Sequence, residues 1–321
     1  MKQLLAITEA QYERSPLHGE HRVWTETNCY VDLWIEVLHA LGHDPRPGLA
    51  FTLSADFDGD QWQFIKYPLE DLRSLYGLDV AELNPWRGLA FHIDQQLDDG
   101  RLITAEVDSW FLPDTAGVAY RIEHVKTSIV PNMIDVAHRR LGYFHGASYY
   151  ELHGEDFDGV LRCGEGEAAS RREVLPPYVE RIRRNPFSEI TTTAVLDLVK
   201  GHLKRRPPIN PVTRLAERFA TDLPWLEAGG VDAFHLYAFA TLRQCGASGE
   251  LAASLCEWLT EHGIEMSDAT DSFNRVANGA KTMQFKLARL AAGRSIDYGS
   301  LLADIANHWA TAMQQLDDRI G

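Results

Sequence analysis

The 321-residue chain lacks the motifs by which several common classes of protein are recognised. Its four cysteines form no CxxC pair, which argues against a disulfide framework and a structural zinc site and fits a reducing compartment. GxxxxGK[ST], GxGxxG and GxSxG are all missing, so we expect neither a phosphate-binding loop nor a hydrolase nucleophile elbow. The acidic segment 56–60 has its glycine at the wrong position for a calcium loop. We therefore expect no bound metal.

Long apolar runs and an excess of positive charge are also missing. No run of about eighteen apolar residues occurs, and the first residues turn polar at Thr8, so we expect neither a transmembrane helix nor a signal peptide. The 31 basic residues face 46 acidic ones, and the net charge of −15 repels nucleic acids and anionic membranes. We expect a cytoplasmic protein that binds neither.

One segment has the opposite charge balance. Between Arg171 and Arg206 lie nine basic residues and four acidic ones. This segment is either a solvated basic face or a docking patch for an acidic partner or a phosphate-bearing ligand. The candidate docking residues are Arg171, Arg172, Arg181, Arg183 and Arg184.

Cys29 stands where a small polar cluster runs into an amphipathic helix. Thr27 or Asn28 can cap the helix, and Gly42 marks its end. A helix N-terminus favours thiolate over thiol, because the positive end of the dipole and the unpaired N–H groups stabilise negative charge. Cys29 is therefore either a nucleophile or, like many lone cysteines, a small buried hydrophobe. The apolar face that predicts the helix consists of Leu33, Trp34, Val37, Leu38 and Leu41.

Strand patterns and then helix patterns follow along the chain. Segment 100–113 reads as a strand leading into a loop, 120–130 alternates like a second strand with His124 near its start, and a third strand begins at 141. From residue 176 onward apolar residues recur at spacings of three and four. We therefore predict an α+β domain over 1–165 and a helical bundle domain over 176–321. The predicted helices of the second domain are 191–204, 212–220, 231–246, 248–263, 268–292 and 298–318.

Several motifs together resemble a bacterial family catalogued as a domain of unknown function; they lie at 28–36, 56–62, 112–117, 124–127 and 142–145. The chain is more distantly similar to the N-terminal domain of the butirosin-biosynthesis acyltransferase family and to bacteriocin-processing cysteine peptidases. This similarity rests on a cysteine at a helix start, Val-Asp-x-x-x-Leu-Pro and Tyr-x-x-x-His. These resemblances imply a papain-like N-terminal domain and the transfer of an acyl group from a carrier-protein thioester to an amine.

The resemblance also implies roles for individual residues. Cys29 matches the nucleophile and His124 matches the base, which meet in space and not in sequence. Papain-like relatives place an orienting Asp or Asn on the strand after the histidine. In this chain that strand carries His145 and then Gly146, while Asp135 sits earlier, at a turn. His145 and Asp135 are both candidates for the third residue.

The oxyanion of an acyl-transfer intermediate would be held by the Cys29 N–H and by the Asn28 side chain. Further candidate substrate-binding or oxyanion residues are Asp60, Gln61, Trp62, Asp114 and Lys126. The expected partners are an acidic acyl carrier protein, or another thioester donor, and a small-molecule or peptide amine. We expect no resident cofactor, because phosphopantetheine would arrive on the carrier. The alternatives are a cysteine peptidase or amidase, and a non-catalytic carrier- or peptide-binding module.

Overall fold

The structure, a computed structural model, describes residues 1–163, 177–186 and 189–321. The predicted α+β class is confirmed, because an antiparallel sheet forms in the N-terminal region and helices fill the C-terminal region. The chain divides into two compact units that alternate along the sequence. The first unit is Met1–Gly19, Cys29–Asp44 and Leu72–Ser188, and the second is Glu20–Asn28, Pro45–Asp71 and Glu189–Gly321.

An antiparallel sheet forms the centre of the first unit. Its strands follow the order β4-β9-β5-β6-β7-β8, and β1 pairs with β6. The remaining strands, β2 and β3, form a hairpin in the second unit. The strands are β1 (Lys2–Gln3), β2 (Phe57–Asp58), β3 (Gln61–Trp62), β4 (Leu78–Glu82), β5 (Leu102–Asp108), β6 (Lys126–Asp135), β7 (Arg140–His145), β8 (Ser148–His153) and β9 (Val179–Arg184).

Helix α1 matches the expectation from sequence. It begins at Cys29, and Leu33, Trp34 and Val37 on its apolar face are buried. The chain turns away at Gly42, whose φ of +82° is a conformation that glycine adopts without strain. The helices are α1 (Cys29–Ala40), α2 (Leu69–Tyr76), α3 (Leu89–Asp98), α4 (Glu155–Leu161), α5 (Thr192–Arg205), α6 (Pro211–Ala240), α7 (Leu242–Glu261), α8 (Ser267–Ala291) and α9 (Gly299–Ile320).

Strand β9 lies inside the range 176–321, which the sequence pattern assigns to helices. It pairs with β4 on one side and β5 on the other, so it is an interior strand of the sheet. Its charged side chains are tolerated there because neighbouring strands supply their partners. Asp79 of β4 accepts hydrogen bonds from Arg181 and Arg183, and the buried carboxylate of Glu180 accepts one from the hydroxyl of Thr104 on β5. A strand of this kind shows no alternation of apolar and polar residues.

The helices of the second unit form where the periodicity predicts them, with two differences. The predicted helices 212–220 and 231–246 both begin in α6, which also includes residues 221–230 and is kinked at Gly230, where φ is +57°. Helix α6 ends before Thr241, and Gly246, which we expected to end a helix, lies within α7. A Cβ atom at Gly246 would lie 2.2 Å from the ring of Trp24, so glycine is needed at this position for close packing. In the described part of the chain, no helix combines the length and hydropathy that a bilayer crossing requires.

Candidate active site

A buried polar cluster fixes the position of α1. Nδ1 of His18 bonds Glu36, and Nε2 lies 3.2 Å from Oδ1 of Asp32. Tyr12 donates its hydroxyl to Glu36 over 2.5 Å, and the Ser15 N–H donates to the same carboxylate over 3.0 Å. Burial opposes protonation of His18, but its hydrogen bonds to Asp32 and Glu36 outweigh burial and raise its pKa to about 9. A charged imidazole between two carboxylates therefore ties the N-terminal segment to α1.

Helix α1 covers one face of the sheet. The hydroxyl of Tyr30, the residue after Cys29, donates to Oε2 of Glu180 on β9 over 2.6 Å. Burial, followed by this carboxylate, raises the pKa of Tyr30. The ring of Tyr12, which bonds α1 through Glu36, contacts the ring of Phe144 on β7 with 5.6 Å between centroids.

Strand geometry shows which residues share this face. Glu180 pairs in register with Thr104 of β5, and side chains two positions apart on a strand point the same way. Glu106 and Asp108 therefore lie on the same face as Thr104. We call this surface the α1 face; it carries Thr104, Glu106, Asp108, Lys126, Ser128, Phe144 and Glu180.

A histidine–carboxylate pair lies at the edge of the α1 face. His124 comes just before β6, and its Nδ1 lies 2.9 Å from Oδ2 of Asp108, the last residue of β5. Its ring stacks on Trp110 with centroids 4.3 Å apart, and the Trp110 N–H donates to Asp108. Beside this pair Lys126 donates to Glu106 over 2.6 Å. A carboxylate that holds Nδ1 of an exposed imidazole is the arrangement of a general base with its orienting group.

Cys29 is the first residue of α1 and is half-buried. Among the described residues, no hydrogen bond joins the Cys29 thiol to His124. Catalytic hydrogen bonds are often long in an enzyme without its substrate and tighten in the complex. The structure thus places the cysteine on the helix that covers the α1 face and the histidine at the edge of that face.

His145 lies on the opposite face of the sheet. It follows Phe144 on β7, so its side chain points away from α1. Its Nδ1 lies 2.5 Å from Oδ2 of Asp114, and its Nε2 lies 2.8 Å from the hydroxyl of Thr127. Tyr143 donates to the other oxygen of Asp114. Asp114 and His145 therefore belong to a polar cluster that the sheet separates from the α1 face.

Asp135 is also distant from His124. It ends β6, nine residues after Lys126, which corresponds to about 30 Å along an extended strand. Its carboxylate bonds His138 instead. The partner that the structure gives to His124 is Asp108. This aspartate stands in the Val-Asp-x-x-x-Leu-Pro motif, which was the one signal in the sequence that could have identified it.

The side chain of Asn28 is committed elsewhere. Its amide donates to the Ile65 carbonyl over 2.9 Å and to Oε1 of Gln244 over 3.4 Å. Both of its N–H donors are thus in use within the second unit. We expected two oxyanion donors, the Asn28 side chain and the Cys29 N–H. Of these, the Cys29 N–H at the start of α1 remains the candidate.

Three further candidates lie in the hairpin of the second unit. Asp60 and Gln61 are exposed at the turn between β2 and β3. Trp62 is buried and packs against Trp309, with 6.0 Å between ring centroids. Its burial in that packing gives Trp62 a place in the apolar core of the second unit.

The basic segment is described only in part. Arg171 and Arg172 lie outside the described residues. Arg181 and Arg183 share Asp79, each at 2.7 Å, while Arg184 ends β9 and is exposed. Asp79 carries one negative charge and also contacts Arg73 at 3.6 Å, so it offsets only part of the positive charge of these arginines. Arg183 and Arg184 are both exposed.

Within the ranges that the structure describes, no group of three His, Cys, Asp or Glu side chains has an arrangement that could hold a metal ion.

Two family models match the chain. The model described as the DUF1839 N-terminal domain matches residues 13–184, and the model described as the DUF1839 C-terminal domain matches residues 188–318. The first match ends at the last residue of β9, which agrees with the place of that strand in the sheet. No curated protein matches the chain.

Replacing His18 by glutamine should remove a pH dependence of stability. A raised pKa means that protonated His18 stabilises the fold fully below the unfolded value of about 6.5, and that this stabilisation is lost as the pH rises toward about 9. We expect the free energy of unfolding of the wild type to fall by on the order of 2 to 3 kcal/mol more than that of His18→Gln across this window. Urea unfolding at both ends of the window measures this difference. His308→Gln, at a partly exposed histidine of α9, is the control, and equal falls in wild type and His18→Gln would contradict the account.

Iodoacetamide should modify Cys29 faster than Cys163, although Cys163 is more exposed. The expected role of Cys29 as the nucleophile and His124 as its base predicts this order, whereas burial raises the pKa of both Cys245 and Cys256 to about 12 and makes them unreactive. Peptide mass spectrometry over time gives the four rates in one sample. His124→Gln should slow Cys29 alone, and His138→Gln should not. Faster reaction of Cys163, with no effect of His124→Gln, would show that Cys29 is not activated.

Proposed function

This chain belongs to the DUF1839 family, and we propose that it is a cysteine-dependent acyltransferase acting through a papain-like first unit. The proposed reaction moves an acyl or aminoacyl group from a carrier-bound thioester to an amine. The observation that carries the proposal is the pairing of His124 with Asp108 at the edge of the α1 face, since Cys29 begins the helix that covers this face. The same arrangement supports a papain-like scaffold, because a cysteine begins a helix and a histidine comes just before a strand of the sheet.

In the proposed reaction His124 takes the thiol proton of Cys29. Asp108 accepts the Nδ1 hydrogen bond, and in the proposed mechanism Nε2 acts as the base. The Cys29 thiolate attacks the carbonyl carbon of the donor, and the thiol of the carrier leaves with the proton from His124. The acyl group then resides on Cys29 as a thioester. An amine attacks it, yields an amide and restores the free thiol.

The start of α1 can stabilise the charge that forms during both steps. The first N–H groups of an α-helix have no partner within the helix, and the positive end of the dipole lies at the same place. An oxyanion formed on the carbonyl bound to Cys29 would lie close to these groups. The backbone can therefore supply the stabilisation that the side chain of Asn28 does not.

The carboxylates of the α1 face favour an amine as a reactant. Glu106 and Asp108 lie two positions apart on β5, and both side chains retain some exposure. Their negative charge attracts the ammonium group of an acceptor amine or of an aminoacyl donor, and Lys126 offsets it only in part. This charge distribution supports aminoacyl transfer more than transfer of a plain fatty acyl chain.

An aminoacyl-pantetheine thioester and a primary amine test the proposal. The wild type should form the amide, Cys29→Ala should form none, and Asp108→Asn should be slower by roughly 100-fold or more because it disturbs the base. Asp135→Asn is the matched control and should keep full activity. Cleavage of a peptide panel without transfer would favour the peptidase or amidase. If Cys29→Ala retained both transfer and peptide cleavage, the cysteine mechanism would be overturned.

Charge reversal at Arg183 and Arg184 should slow association with an acidic carrier protein and flatten its salt dependence. Asp79 shares its one negative charge among Arg73, Arg181 and Arg183, so both exposed arginines should contribute to the effect. Stopped-flow association at two ionic strengths measures it. Arg294→Glu, an exposed residue of the second unit, is the control. An unchanged on-rate and salt slope would identify the segment as a solvated face.

A further inference from the structure

A chain of three polar side chains in the second unit takes no part in the proposed transfer. The hydroxyl oxygen of Ser54 lies 2.9 Å from Nδ1 of His202, and Nε2 of His202 lies 2.8 Å from Oδ2 of Asp71. His202 and Asp71 are 2% and 4% exposed. The three residues come from the end of the 3-10 segment Arg46–Ser54, from α2 and from α5. Hydroxyl, imidazole and carboxylate in this order are the nucleophile, base and orienting group of a serine hydrolase.

The hydrogen bonds fix the tautomer of His202. An ionised carboxylate only accepts hydrogen bonds, so Nε2, which faces Asp71, carries the proton. Nδ1 of the neutral ring is then an acceptor. The hydroxyl hydrogen of Ser54 can be donated either to this nitrogen, 2.9 Å away, or to the Phe51 carbonyl, 3.0 Å away. Serine proteases use the two nitrogens in the opposite sense, but either nitrogen of an imidazole can accept a proton. The ring can therefore take the proton of Ser54.

Ser54 opens onto a cavity of about 440 Å³, which is within the size range of small-molecule sites. Phe51 and Ile65 supply apolar walls, Lys66 and Arg205 supply positive charge, and Glu70 and Asp71 supply negative charge. The cavity thus combines an apolar surface with charges of both signs, which suits a small ligand that has an apolar body and a polar group.

The guanidinium of Arg205 lies next to the hydroxyl–imidazole pair. Its Nη2 is 3.2 Å from Nδ1 of His202, the atom that faces Ser54. An oxyanion formed by attack of Ser54 would develop close to this cation. The cluster of Thr127, His145 and Asp114 in the first unit has the same order of hydroxyl, imidazole and carboxylate. Thr127 is buried, at 7% exposed, so we do not propose it as a nucleophile.

We propose that Ser54, His202 and Asp71 form a second nucleophilic site, which cleaves small carboxylic esters. The Ser54 oxygen bonds to the carbonyl carbon while its proton passes to Nδ1 of His202. The ester C–O bond breaks, and the leaving alkoxide takes that proton and departs as an alcohol. Water attacks the acyl-serine in the same way, which releases the carboxylic acid and restores Ser54. The Nε2 proton stays on His202 throughout and remains hydrogen-bonded to Asp71.

A fluorophosphonate probe tests the nucleophile in the full chain carrying Cys29→Ala. The probe should form a phosphorus–oxygen bond at Ser54 with loss of fluoride, and peptide mass spectrometry locates the label. Asp71→Asn and His202→Gln should each slow labelling by roughly 100-fold or more. Ser300, whose hydroxyl bonds Asp297 and no histidine, is the internal control and should stay unlabelled. Absence of label at Ser54, or an equal rate in His202→Gln, would overturn the proposal.

Hydrolysis of a p-nitrophenyl hemisuccinate gives the second readout. The Cys29→Ala chain should release nitrophenol with turnover, and adding Ser54→Ala, a small change at a half-buried position, should abolish it. Arg205→Gln should slow hydrolysis of both this ester and p-nitrophenyl acetate, because the guanidinium lies beside the hydroxyl–imidazole pair. Equal hydrolysis with and without Ser54 would contradict the assignment. Cys29 is absent from every sample, so a negative result would leave the proposed transfer unaffected.

Discussion

Alternation of side chains between the two faces of a strand decides which candidate residues can act with Cys29. Asp108, its partner Lys126 and Phe144 lie on the face that α1 covers. Thr127 and His145, one residue further along their strands, point to the opposite face. The first unit therefore holds two histidine–carboxylate pairs that the sheet keeps apart. The pair of His124 and Asp108 shares a face with the helix of Cys29, and the pair of His145 and Asp114 does not.

The local parts of the site could be predicted from sequence, and the partner of His124 could not. The start of α1 at Cys29 follows from a polar cap and an apolar face within one short segment. The partner of His124 depends on the register between β5 and β6, which sets Asp108 opposite Lys126. Register arises from tertiary packing, so a single sequence reveals it only through a motif such as Val-Asp-x-x-x-Leu-Pro.

The same distinction holds for the fold. Helices of the second unit were predictable because their periodicity is local, as in α8 and α9. Strand β9 was missed because its arginines and Glu180 find their partners on β4 and β5, and no apolar alternation marks it. The end of α6 was misplaced because Gly246 serves the close approach of Trp24 and does not end a helix. In each case a contact distant in sequence decided the outcome.

The second unit adds chemistry that periodicity does not reveal. Ser54, Asp71 and His202 are separated by long stretches of chain, and each alone reads as an ordinary cap or helix residue. Packing brings them into one hydrogen-bonded chain beside a cavity. If each of the two compact units uses its nucleophile as proposed, one chain has two separable acyl chemistries, one through the thiol of Cys29 and one through the hydroxyl of Ser54.

The central claim is that Cys29 and His124 act together on an acyl group. A crystal structure of the chain after an aminoacyl chloromethyl ketone has alkylated Cys29 tests it most directly. The account predicts that the sulfur of Cys29 lies within about 4 Å of Nε2 of His124, with Nδ1 still bonded to Asp108. A separation of more than about 8 Å would contradict it, because neither a hydrogen bond nor one bridging water spans that distance.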